Sequence, residues 1–161
     1  MSVLKDLKPE RVFYYFEEIT KIPHGSGNTK QISDYLVEFA KEHGLKYIQD
    51  ESNNVIIFKD ASKGYEKAPC VILQGHMDMV CEKTPESSHD FTKDPLELVV
   101  EGDYISAKDT TLGGDDGIAV AYALAILEDD SLCHPALEVL ITVDEEIGLL
   151  GAVALDTTPL K

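Results

Sequence analysis

Two short, continuous apolar runs on either side of an alanine-rich segment most strongly constrain the fold of this chain. The runs cover 69–75 (PCVILQG) and 136–143 (ALEVLITV), and each is typical of a strand buried on both faces of a sheet. Residues 117–129, between them, are rich in alanine and periodic, which predicts a helix. Strands that alternate with helices predict an α/β domain with a mixed, largely parallel sheet.

The rest of the chain adds helices and strands to this unit. Apolar residues at helical spacing predict helices over 9–22 and roughly 29–43, and Asn28 is the predicted N-cap of the second. We also expect a helix that begins near Leu149. Four more strands are predicted, over 46–49, 54–58, 96–100 and 104–107.

The charge of the chain limits its partners. Its 161 residues include 30 acidic and 14 basic side chains, a formal net charge of −16, and 18 of the acidic side chains lie in 82–161. Nucleic acids and anionic membranes would repel such a chain, so we expect neither as a partner. Solvated surface explains most of these acids, but a few could be gathered to hold cations.

The cysteines and the apolar segments indicate a compartment. Cys70, Cys81 and Cys133 are odd in number and lack the C-x-x-C spacing, so no disulfide framework is expected and a reducing compartment is favoured. No signal-peptide core follows Met1–Lys5, and no stretch approaches the ~18 apolar residues of a membrane span. We therefore expect a cytoplasmic protein.

The first polar cluster follows the run at 69–75. His76 and Asp78 are two residues apart, so an extended backbone places both on one face. Asp78 could accept a hydrogen bond from one imidazole nitrogen and leave the other free for a metal. The motif is so short that, taken alone, it favours a partly exposed histidine beside a solubilising aspartate.

Two further clusters are purely acidic. Asp115 and Asp116 lie among glycines just before the alanine-rich helix, and an N-cap role explains Asp116 but not both residues. Asp144, Glu145 and Glu146 directly follow the run at 136–143. These three carboxylates repel one another unless solvent or a divalent cation neutralises them.

Taken together, the three clusters predict a metal site. Ligands of open α/β sheets gather outside the carboxyl ends of the strands, where two of the clusters lie. A histidine with several carboxylates suits zinc, or manganese or cobalt. A carboxylate shared by two ions would make a two-metal site that activates water for hydrolysis.

These motifs, in this order, resemble the M20 metallopeptidases, and more closely their aminoacyl-histidine (Xaa-His) dipeptidases. The resemblance implies the N-terminal part of a catalytic domain with a three-layer α/β sandwich and a mixed, largely parallel sheet. The matching segments are 22–23 with 26–28, 74–80 (QGHMDMV), 89–91 (HDF), 110–117 and 137–151 (LEVLITVDEEIGLLG).

The resemblance also implies roles for individual residues. His76 would ligate one metal, with Asp78 orienting its ring, Asp115 would bridge both metals, and Glu146 would ligate the second. Glu145 would be the general base. The two ions would be zinc, with cobalt or manganese as alternatives.

Two further points concern Asp116. Members of the family typically have a cis peptide bond after the bridging aspartate, so Asp115–Asp116 is the expected position here. Related dipeptidases often have asparagine where this chain has Asp116. The aspartate adds a negative charge, which could alter metal preference without removing a ligand.

The main departure from the family is length. Its members are considerably longer, with an inserted lid or dimerisation domain, a further acidic ligand and a final histidine that nothing in 1–161 matches. We therefore expect 1–161 to be the N-terminal part of the catalytic domain, inactive alone, weak in metal binding and prone to self-association. The four remaining histidines are assigned structural or solvated roles: His24, His43, His89 and His134.

The expected function of the full-length protein is hydrolysis of small Xaa-His dipeptides by metal-activated water, by a homodimer. One alternative is another M20 hydrolase, such as a tripeptidase or an aminoacylase. Another is a naturally short, non-catalytic interaction or metal-binding module. Phosphohydrolase chemistry is disfavoured because the sequence has no glycine-rich phosphate loop with a following lysine.

Overall fold

A computed structural model describes residues 2–161, and its central element is a four-stranded sheet. The helices are α1 (Glu10–Thr20), α2 (Lys30–Glu42), α3 (Gly114–Glu128) and α4 (Leu150–Ala154). The strands are β1 (Lys46–Gln49), β2 (Val55–Lys59), β3 (Val71–His76), β4 (Leu98–Glu101), β5 (Tyr104–Ala107) and β6 (Leu137–Thr142).

The sheet has the strand order β1-β2-β6-β3 and is mixed. β2 pairs antiparallel with β1 and with β6, whereas β3 pairs parallel with β6, from Val71 opposite Leu137 to His76 opposite Thr142. β4 and β5 form a separate antiparallel hairpin. The α/β class and the mixed sheet are therefore confirmed. The expectation of a largely parallel sheet is wrong for these four strands, since two of the three pairings are antiparallel and only β3–β6 is parallel.

The two apolar runs differ in burial. Every residue of β6 is buried because this strand lies between two others. β3 lies at the edge of the sheet, and its Val71 and Ile72 are 41% and 42% exposed. The prediction of burial on both faces is correct for β6 and wrong for β3, since an apolar run does not distinguish an edge strand from a central one.

The core lies between one face of the sheet and the helices. Val139 and Ile141 of β6 point into it, together with Leu36 of α2 and Leu124 of α3. α1 packs on α3, and Gly117 lets the helices approach, since a Cβ there would lie 3.2 Å from the Phe16 ring. On the opposite face, Leu140 lines a cavity with residues of α4 and the segment after it.

The first turn of α2 differs from the prediction. The helix begins after Thr29, which has no side-chain capping bond, so the expected N-cap role of Asn28 is wrong. Asn28 instead closes a turn by donating its backbone N–H to Gly25 O (2.8 Å), which leaves its side chain one residue short of the cap position.

The C-terminal end of α3 is held by a buried lysine. Lys59 of β2 is 8% exposed and donates from Nζ to the carbonyl oxygens of Leu127 (2.8 Å) and Asp129 (3.2 Å). A cation is favourable there because the last carbonyls of a helix carry partial negative charge. Within residues 2–161, none of the helices combines the length and apolar character needed to span a bilayer.

Candidate metal centre

The parallel β3–β6 pair brings two of the polar clusters together. His76 ends β3 opposite Thr142, and the acidic residues Asp144, Glu145 and Glu146 follow two positions later. Because parallel strands present their carboxyl ends at the same edge, the histidine and the glutamates meet there. Asp115, at the start of α3, completes the cluster.

The distances define two groups of possible ligands. His76 Nε2 lies 3.1 Å from Asp115 Oδ1 and 3.9 Å from Glu145 Oε2. Donor atoms of His76, Asp115 and Asp116 lie within 4.8 Å of one another, and so do those of His76, Glu145 and Glu146. One imidazole with several carboxylates is a donor set that fits zinc, manganese or cobalt.

The Asp78 carboxylate connects β3 to the segment that carries the glutamates. Asp78 is 1% exposed and accepts hydrogen bonds from Glu145 N (2.9 Å), Glu146 N (3.3 Å) and Ser26 Oγ (2.7 Å). Asp78 therefore fixes the backbone of the two glutamates, a contact that sequence reasoning did not anticipate.

The His76 ring is oriented by the same residue. Its Nδ1 lies 3.0 Å from the backbone oxygen of Asp78 and 3.3 Å from the Asp78 carboxylate, so Nε2 faces Asp115 and Glu145. Burial alone would lower the pKa of His76, but the hydrogen bond to Asp115 and the charge of Asp78 raise it overall. The carboxylates thus favour positive charge at this end of β3.

Asp116 lies inside the cluster, although the sequence predicted no ligand role for it. The Asp115–Asp116 peptide bond is cis, as the resemblance predicted. Burial is the main cause of a raised pKa at Asp116, and the nearby charge of His76 opposes it. A Cβ on Gly75 would lie 2.9 Å from Asp116 Oδ2, so this carboxylate packs directly on the backbone of β3. Its position beside Asp115 was the only sequence signal for it.

A cavity of about 360 Å³ opens at the cluster. His76, Asp115, Asp116 and Glu145 contribute its ionisable groups. The rest of the lining is largely apolar or neutral: Gln74, Leu140, Thr142, Leu149, Ala152 and Leu155. The cavity therefore combines groups that can hold cations with apolar and neutral groups that can contact a small ligand.

The other four histidines lie outside both ligand groups. His24 is buried and its Nδ1 lies 2.6 Å from Ile22 O, and burial lowers its pKa. His43 stacks on the Phe39 ring. His89 packs edge-on against Phe91, and His134 Nδ1 lies 2.7 Å from Pro135 O.

Comparisons with known proteins support the metallopeptidase interpretation. No family model matches the sequence. The chain is 43% identical to the cytosol non-specific dipeptidase of Escherichia coli over 155 residues, which cover 96% of this chain and 32% of that protein. The chain therefore spans about a third of the length of this relative.

Solved structures agree with this match. An aminoacylhistidine dipeptidase from Vibrio alginolyticus superposes with a TM-score of 0.96 at 40% identity, over 99% of this chain and 33% of that one. A tripeptidase from Staphylococcus aureus follows with a TM-score of 0.76 at 27% identity, over 94% of this chain and 40% of that one.

Fold and sequence together relate the chain to the catalytic domains of the M20 metallopeptidases. Within that class the matches support the aminoacyl-histidine dipeptidases, over an N-terminal region of those proteins.

Proposed function

We propose that residues 1–161 are the N-terminal part of the catalytic domain of a metal-dependent dipeptidase. The observation that carries this proposal is the convergence of His76, Asp115 and Glu145, from three distant parts of the chain, on one cavity. The names of the E. coli and V. alginolyticus relatives support dipeptides as the substrate class.

In the proposed reaction, residues of this chain have separate roles. His76, Asp115 and Glu146 would hold two divalent ions, and Asp78 would orient the His76 ring. Such ions, when bound, polarise the scissile carbonyl and lower the pKa of water. Zinc is the proposed metal because it suits mixed imidazole and carboxylate ligands.

Glu145 is the proposed general base. Its side chain is 37% exposed and its Oε2 lies 3.9 Å from His76 Nε2, at the cavity wall. It would accept a proton from the attacking water and return it to the amine that leaves. The backbone hydrogen bond from Glu145 to Asp78 holds this residue in place.

The preferred substrates in this proposal are Xaa-His dipeptides, hydrolysed in the cytoplasm by a homodimer of the complete protein. The names of the two relatives differ in the substrate range that they state. The E. coli protein is called a non-specific dipeptidase, and the V. alginolyticus protein is called an aminoacylhistidine dipeptidase. Tripeptides are the second candidate class, because the S. aureus tripeptidase shares the fold at 27% identity.

A direct test uses the protein translated from the complete reading frame that contains residues 1–161. We expect hydrolysis of β-Ala-His, loss of activity with a chelator, and recovery with Zn²⁺. Glu145→Gln should lower kcat by at least about 100-fold, the usual size of a general-base contribution. A dipeptide without histidine and a tripeptide measure specificity. Activity that withstands both the chelator and Glu145→Gln would disprove the proposal.

A further inference from the structure

Asn54 connects the two ends of the segment that carries the proposed catalytic glutamates. This asparagine precedes β2 and is 1% exposed. Its Oδ1 accepts a hydrogen bond from Val143 N (3.0 Å), and its Nδ2 donates to Gly151 O (2.9 Å). The Asn54 carboxamide therefore forms hydrogen bonds with both ends of the segment 143–151.

Asp50 fixes the orientation of that carboxamide. Asn54 Nδ2 donates to Asp50 Oδ2 (2.7 Å), and Asp50 Oδ1 accepts from the backbone N–H of Asn54 (2.9 Å). A carboxylate only accepts hydrogen bonds, so the NH₂ group must face Asp50 and Gly151, and the oxygen must face Val143.

Gly151 makes this close approach possible. Its backbone N–H donates to Val143 O (3.1 Å), which closes the segment alongside the two bonds to Asn54. A Cβ at Gly151 would lie 2.3 Å from Val143 O and 2.6 Å from Asn54 Oδ1. No side chain larger than hydrogen fits between these groups.

We propose that Asn54 is a positioning residue for Glu145 and Glu146. Asp78 holds the two glutamates by their backbone N–H groups, and Asn54 holds both ends of the same segment. Asn54 does not line the cavity, so it acts on the donor atoms only through this segment. This inference rests on the proposed function for its consequence, metal affinity, and on the hydrogen bonds alone for its structural part.

The test compares Asn54→Ala and the milder Asn54→Ser with a matched control, Ser33→Ala, in the protein translated from the complete reading frame that contains residues 1–161. Ser33 is also fully buried and donates to Asn53 O (2.8 Å), in the same turn, but its hydrogen-bond partners lie outside 143–151. In each variant we would measure global stability by urea unfolding, amide hydrogen exchange at Glu145 and Glu146, and Zn²⁺ affinity by calorimetry.

The expected result separates positioning from stability. Asn54→Ala should speed exchange at Glu145 and Glu146 by about tenfold beyond its effect on global unfolding, and should weaken Zn²⁺ binding by about tenfold, as loss of supporting hydrogen bonds does at metal sites. Asn54→Ser should lie between wild type and alanine, because a hydroxyl can satisfy only part of the pattern. Ser33→Ala should change exchange only in proportion to global stability.

Equal effects of Asn54→Ala and Ser33→Ala, at matched stability, would overturn the positioning role. If the complete wild-type protein bound no Zn²⁺ while Asn54→Ala still freed the Glu145 and Glu146 amides selectively, the proposed function would fail and the positioning of the segment would stand.

Discussion

The Asp78 carboxylate accepts a 2.9 Å hydrogen bond from the backbone N–H of Glu145. This bond connects the residues that follow β3 to the segment that follows β6. The same carboxylate lies 3.3 Å from His76 Nδ1. One buried acid therefore sets the relative position of the proposed metal ligand His76 and the proposed base.

Replacing Asp78 with asparagine should disturb both partners at once. One carboxylate oxygen becomes an NH₂ group, which cannot accept a hydrogen bond. The variant therefore loses either the bond from Glu145 N or the bonds from Glu146 N and Ser26 Oγ, which reach different oxygens of Asp78. We expect Zn²⁺ affinity to fall by about tenfold or more. Calorimetric titration measures this, and Asp90→Asn, at an exposed turn remote from the cluster in sequence, is the control. An unchanged affinity in Asp78→Asn would contradict the orienting role.

Gly75→Ala tests the packing of Asp116 on β3. The new Cβ would lie 2.9 Å from Asp116 Oδ2 and 3.4 Å from Ala119 Cβ, so the carboxylate must move. Such overpacking typically costs about 1–3 kcal/mol. Urea unfolding measures the cost, and Gly114→Ala is the comparison, because its Cβ would meet only Leu112 at 3.8 Å. Equal stability losses in the two variants would show that the contact with Asp116 is not tight.

Lys59→Met tests the capping of α3. Methionine keeps the apolar stem but leaves the carbonyl oxygens of Leu127 and Asp129 without the Nζ donor, for a loss of about 1–3 kcal/mol. Asp130→Ala removes only the ion pair of Lys59 with an exposed carboxylate and should cost less than about 1 kcal/mol. Thermal unfolding of both variants separates the two contributions. The capping role fails if Asp130→Ala proves the more damaging change.

Glu17 should make the chain sensitive to acid. Burial alone would raise the pKa of this carboxyl, but hydrogen bonds from Ser2 Oγ, Val3 N and Leu4 N outweigh it and lower the pKa from the ordinary 4.5. A carboxylate with a lowered pKa stabilises the folded state above about pH 4.5, and this stabilisation is lost as the pH falls through its folded-state pKa.

Glu17→Gln should therefore be less stable than wild type at pH 7 and close to it in strong acid. Urea unfolding across pH 2–7 measures the difference between the two curves, and Glu86→Gln, at an exposed position, is the control. A constant difference at all pH values would mean that ionisation of Glu17 does not contribute.

The edge of the sheet should promote self-association of the 1–161 chain. Ile72 of β3 and Tyr122 of α3 are 42% and 46% exposed and line one apolar groove. Exposed strand edges with apolar side chains pair readily with a second copy. Sedimentation velocity should show concentration-dependent dimers, and Ile72→Lys should reduce them. Monomers of wild type at high concentration would contradict this prediction.

The sequence predicted the parts of the fold that depend on local pattern. β1 and β5 have the predicted bounds, and β6 and α2 differ from prediction by one residue at each end. The approach of His76 to Glu145 was also predictable, because two apolar runs that predict strands are each followed by candidate ligand residues. The pairing of β2 with β6 was not, since antiparallel partners distant in sequence leave no local signal.

The contacts that support the site were less accessible to sequence reasoning. Asn54 lies in a polar turn whose composition is that of many solvent-exposed turns, yet it is 1% exposed and spans 143–151. Asp78 was expected to act on His76 alone, and its bonds to Glu145 and Glu146 depend on a loop conformation that includes Asp144 at φ 54°. Such bonds follow from tertiary packing, which no spacing rule encodes.

The parallel pairing of His76 with Thr142 also has a consequence for how the chain reaches its native state. The donor atoms come from β3, the start of α3 and the segment after β6, so no short stretch of the unfolded chain can present them together. Closing the long loop between β3 and β6 costs entropy before any contact repays it. A divalent ion that needs both sides of this pair would bind only the folded chain, and by mass action it would draw the population toward that state.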